Sequence, residues 1–67
     1  MRARFKQPGL WWCTVNVTVE AGNREGHRRA IVTVTKKDGI RHTLELNQSD
    51  AYELADRIVD AMEGGAA

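Results

Sequence analysis

The chain has 67 residues, 42% of them hydrophobic and 28% charged, with a formal net charge of +1. That length admits one domain and excludes a large core, because so short a chain buries only about 60% of the surface it exposes when unfolded. The apolar content and the single proline exclude a disordered chain, and the lone cysteine, Cys13, excludes an intrachain disulfide and points to a reducing, cytoplasmic setting.

Residues 1–9 carry Arg2, Arg4 and Lys6 ahead of Gln7-Pro8-Gly9 and read as a flexible basic arm, without the uninterrupted apolar stretch of a signal peptide. Residues 10–63 form the expected domain and 64–67 a flexible tail. No run approaches the roughly 20 apolar residues of a membrane span, so no membrane partner is expected.

From Trp11 to Glu20 the side chains alternate. Trp11, Cys13, Val15, Val17 and Val19 take one face, and Trp12, Thr14, Asn16, Thr18 and Glu20 the other, the signature of a half-buried strand. Residues 21–27, with Gly22 and Gly26, lack apolar periodicity and read as a solvated loop that includes His27. A second strand runs from about Arg28 to Lys36 with Ala30, Val32 and Val34 inward. A third runs from about Ile40 to Leu46 with Ile40, His42, Leu44 and Leu46 inward.

Directly opposed residues of an antiparallel pair share a face, so parity restricts the register. A two-residue Asp38-Gly39 loop sets an inward residue against an outward one. A three-residue Lys37-Asp38-Gly39 loop instead pairs Val34 with His42 and Val32 with Leu44, with Gly39 in the left-handed conformation. For the first pair, the same test favours Val17 opposite Ala30, Val15 opposite Val32 and Cys13 opposite Val34.

After Leu46 the apolar period becomes 3.6, with Ala51, Leu54, Ala55, Ile58, Val59 and Met62 on one stripe. A helix over 48–63 follows, with Asn47 as N-cap in preference to Ser49, Asp50 placed to complete a capping box, and Gly64 at its end. The fold class is therefore α+β: a three-stranded antiparallel meander with one C-terminal helix packed on one face, the other face left open.

The chemistry-bearing residues are few. Cys13 and His42 point inward about 9.6 Å apart on either side of Val34, and read as a small buried hydrophobe and a boundary residue. The acidic helix face, Asp50, Glu53, Asp56, Asp60 and Glu63, is explained by solvation, and two carboxylates one turn apart fall short of a calcium site. No catalytic residue, metal, cofactor or small-molecule substrate is expected, and the chain is read as non-enzymatic. The open sheet face is more informative. It carries Trp12, Thr14, Asn16, Thr18, Ile31, Thr33, Thr35 and Thr43, with basic residues around it. Threonines are also what strand propensity alone would select on a solvated face. Residues 1–42 balance to +6 and residues 43–67 to −5, which divides the charge between the sheet and the helix.

The tail Leu44-Glu45-Leu46-Asn47-Gln48-Ser49-Asp50-Ala51, continued by Leu54-Ala55 and Ile58-Val59, resembles the end of many small uncharacterised proteins of actinobacteria and their phages. The excess of arginine over lysine, seven to three, points the same way. Three strands followed by a packed helix also resembles the AP2-type DNA-binding domain and the arm-binding domain of tyrosine recombinases. That resemblance implies a sheet entering the major groove and assigns contacts to Trp12, Arg29, Lys37 and Arg41. Glu20 and Glu45 on the same face, and the long glycine loop, depart from it.

The leading expectation is thus a nucleic-acid-binding module that uses Trp12, Arg24, Arg28, Arg29, Ile31, Lys37 and Arg41 against duplex DNA. The alternative is a protein-interaction or homodimerisation module, a phage accessory protein docking on a host protein among them, that uses the same face or a free strand edge.

Overall fold

A computed structural model describes residues 1–64; the tail residues 65–67 lie outside the described part. The chain is α+β, with an open antiparallel sheet of four strands followed by one helix. Strands β1 (Arg2–Phe5), β2 (Cys13–Arg24), β3 (His27–Thr35) and β4 (Arg41–Asn47) lie side by side in chain order, and α1 spans Gln48–Glu63.

The fourth strand is a correction to the three-stranded reading. The segment taken as a basic arm pairs with β2, Arg2 opposite Asn16 and Phe5 opposite Cys13. Its Arg-Ala-Arg-Phe pattern has period two, so Ala3 and Phe5 join the valine face while Arg2 and Arg4 join the other. The chain reverses between Phe5 and Cys13 through a turn at Pro8-Gly9, closed by Leu10 N–H donating to Gln7 O at 3.1 Å. Trp11, expected inward, belongs to this connection and is exposed.

The second correction concerns residues 21–27. They continue the β2–β3 ladder down to Arg24 opposite His27, leaving Glu25-Gly26 as a two-residue turn. Both turn residues have positive φ, 54° and 82°, the requirement of the type I′ hairpin whose twist matches its strands. Asn23 Oδ1 accepts a hydrogen bond from Gly26 N–H at 3.0 Å. This turn fixes Val17 opposite Val34 and Val19 opposite Val32, four residues away from the expected register. A shift by an even number leaves every side chain on its predicted face. The β3–β4 hairpin is as expected. Val34 faces His42, Val32 faces Leu44, Lys36 N–H donates to Ile40 O at 2.9 Å, and Gly39 has φ 90°.

One end of the valine face is covered from within the chain. Val15 and Val17 are the buried hydrophobic residues, 3% and 9% exposed. Phe5 of β1 and His42 of β4 stand three strand spacings apart, about 14 Å in a flat sheet, yet their ring centroids are 5.3 Å apart. The sheet therefore curls, and the two rings close over the valines. Lys36 Nζ donates to Gln7 Oε1 at 3.1 Å and ties the β1–β2 connection to the same end.

At the other end the expectation of a helix packed along the sheet fails. Asn47 is both the last residue of β4 and the N-cap of α1, its Oδ1 accepting from Asp50 N–H at 2.7 Å, and Gly64 N–H donates to Asp60 O at 2.8 Å beyond the last turn. Cap and helix bounds match the sequence reading. Strand and helix, however, are joined without a linker, so α1 touches β3 and β4 only through its first turns. Beyond Ala51 every helical residue is exposed, Ile58 and Val59 by about half, as are Val19 and Leu44 on the sheet.

Glutamate is a poor residue for a left-handed position, where asparagine is tolerated, and Asn-Gly is the preferred type I′ pair. Glu25→Asn should therefore stabilise the chain by about 0.5–1 kcal/mol, a rise of roughly 2–8 °C in thermal unfolding followed by circular dichroism. An unchanged midpoint would contradict the turn assignment.

Candidate functional site

The face opposite the valines is ordered by the ladder into rows that cross the sheet. Arg2 lies opposite Asn16, Asn16 opposite Thr35 and Thr35 opposite Arg41. On one side of this row Arg4 lies opposite Thr14, and its guanidinium carbon sits 5.4 Å from the centre of the Trp12 ring, within cation–π range. Lys37 stands beside Trp12 and Thr14 at the end of the β3–β4 hairpin. On the other side come Thr18, Thr33 and Thr43, then Glu20, Ile31 and Glu45, and last Gly22, Arg29 and Asn47.

The rows divide the charge. At the Trp12 end Arg2, Arg4, Lys37 and Arg41 are cationic, and among the described residues none of the four is in an ion pair. At the turn end, Glu45 Oε1 receives Arg24 Nη1 at 3.2 Å and lies 3.7 Å from Arg29 Nε. With Glu20 in the same row the two arginines are balanced by two carboxylates. The open face is thus a basic half and a neutral half, separated by a row of threonines.

The residues singled out from the sequence fall into three groups. Trp12, Lys37 and Arg41 come together in the basic half. Arg24, Arg29 and Ile31 lie in the neutral half, where Ile31 is partly covered by its own sheet. A Cβ placed on Gly22 would sit 3.0 Å from Ile31 Cγ1, so the absence of a side chain at Gly22 gives Ile31 the space it occupies. Arg28 shares the parity of Ala30 and Val32, which puts it on the valine face beside Gln48 and Tyr52 of α1. Arg2 and Arg4 were legible only as part of a flexible basic arm, and β1 fixes them on the open face. The alternation of Arg2-Ala3-Arg4-Phe5 is the signal that locates them.

Among the described residues no group of three or more His, Cys, Asp or Glu side chains converges on a point that could hold a metal ion. Cys13 lies opposite Phe5 and not opposite Val34, so the Cys13–Val34–His42 alignment does not form. His27 opens β3 opposite Arg24. No helix of the described residues is long and apolar enough to cross a membrane. Comparison with protein-family models, with curated proteins and with solved structures finds no match to this chain.

Among the described residues Glu45 is the one carboxylate within 4 Å of both Arg24 and Arg29, and Arg29 Nε is buried without a hydrogen bond. Glu45→Ala should destabilise the chain by about 1 kcal/mol, a partly exposed pair being discounted for solvent screening, whereas Glu20→Ala should change stability by less than half of that. Urea denaturation of the two variants checks this. Equal midpoints would show that Glu45 has no special role.

Proposed function

We propose that this chain is a non-enzymatic nucleic-acid-binding module that lays the basic half of its open sheet face on a duplex. The observation that supports the reading best is the quartet Arg2, Arg4, Lys37 and Arg41, outside any ion pair among the described residues, on the same half-face as Trp12, Thr14, Asn16 and Thr35. Phosphate contacts from such residues supply affinity, and base contacts supply choice of sequence. Arg2 and Arg41 end one cross-sheet row on opposite edge strands, which gives each arginine one of the two phosphate backbones that flank a groove. Asn16 and Thr35 then face the base edges between them, and asparagine offers a donor and an acceptor that match adenine. Arg24 and Arg29 are offset by Glu45 and Glu20 and contribute little.

Fluorescence anisotropy of a labelled duplex titrated with the whole chain tests this. Binding should appear at low salt and weaken steeply as salt rises. Arg2→Ala and Arg41→Ala should each lower the slope of log K against log salt by about 0.9, and Arg24→Ala should leave it unchanged. Absence of any complex at low salt would remove the proposal. The rival reading, docking of another protein on this face, predicts that absence together with loss of the partner on Trp12→Ala.

A further inference from the structure

The apolar half of the valine face and the apolar stripe of α1 are two surfaces of one chain that do not meet. Val19, Val32, Leu44 and Leu46 form the first, and Leu54, Ile58, Val59 and Met62 the second. Val19, Leu44 and all four helical residues are 40% exposed or more. The helix has no route back to its own sheet. Connections between a strand and a helix that packs on it generally take about 2–6 residues, and here Asn47 ends β4 while Gln48 begins α1.

The dimensions of the chain agree. Its radius of gyration is 14.0 Å, against about 11 Å for a compact chain of this length. Its accessible surface is 5807 Å², against about 4,250 Å² for a compact monomer of 7.5 kDa. The excess, about 1,550 Å² per chain, lies within what an obligate dimer buries, 2,000–5,000 Å² in total over two chains. Most helical stability in proteins comes from tertiary packing of an amphipathic face, and a helix that meets its sheet only through its first turns leaves that face in need of a partner.

We propose that the partner is a second copy of this chain, and that the two copies exchange helices: the Leu54–Met62 stripe of each lies on the Val19–Leu44 half-face of the other about a two-fold axis. An isologous arrangement covers both surfaces on both copies and leaves nothing open to extend. A connection too short to fold back is the usual origin of such an exchange. The helix, about 24 Å long, exceeds even the flat width of the sheet's three inter-strand gaps, about 14 Å. The dimer leaves Trp12 and the basic rows uncovered, so the inference does not rest on the nucleic-acid reading.

Light scattering coupled to size-exclusion chromatography should give twice the 7.5 kDa chain mass. In a dimer mixed from differently isotope-labelled chains, nuclear Overhauser contacts filtered for inter-chain transfer should join the Ile58 methyls to Val32 and Leu44. Insertion of five Gly/Ser residues between Asn47 and Gln48 should let each helix fold onto its own sheet and bring the mass down twofold. A native chain that stays at 7.5 kDa through hundreds of micromolar overturns the proposal. So does a dimer whose inter-chain contacts run from Trp12 and Ile31, as in pairing through the open face.

Discussion

The constraint on which the rest of the structure depends is the direct junction of β4 and α1 at Asn47. A residue that serves as both the end of a strand and the cap of a helix fixes the direction in which the helix leaves. With no intervening loop, the amphipathic stripe cannot be turned onto the sheet that precedes it. The sheet is left half covered: Phe5, His42 and the β1–β2 connection close over Val15 and Val17, and Val19, Val32 and Leu44 remain open. Hydrophobic burial is the dominant favourable term in folding. A chain with so little of it internally must find the remainder elsewhere.

The two broad faces of the sheet thereby take different roles. The valine face is concerned with stability, through the closure at one end and through helix exchange at the other. The opposite face contributes little to the core, and its rows are free to carry charge in a pattern that packing does not require. That pattern, basic at the Trp12 end and neutral at the turn end, supports a polyanionic ligand on the first half. The acidic outer face of α1 keeps the helix soluble and does not compete for the same surface.

Much of this was legible from residue alternation. Parity assigned Val15, Val17, Val32, Val34 and Leu44 to one face and the threonines to the other, because a period of two is a property of the extended backbone whatever its partner. The Lys37-Asp38-Gly39 loop, the Asn47 cap and the helix bounds followed from turn and cap chemistry. The β2–β3 register did not, because Glu20, Ala21, Gly22, Asn23 and Arg24 have weak strand propensity and are held extended by pairing with β3. Glu25-Gly26 also departs from the Asn-Gly and Asp-Gly pairs that usually announce such a turn. Strand β1 was missed because four residues beside a Pro-Gly turn carry too short an alternation to stand apart from a basic arm. The open helix was missed because the stripe on α1 shows that it packs, but not against which copy of the chain.

The central claim, that this chain completes its fold only with a second copy, is tested most directly by thermal unfolding over a hundredfold range of concentration. Folding coupled to association makes the midpoint rise with concentration, by several degrees for each tenfold step in a domain of this size. A midpoint that stays fixed over the whole range would show that one chain suffices and would contradict the account.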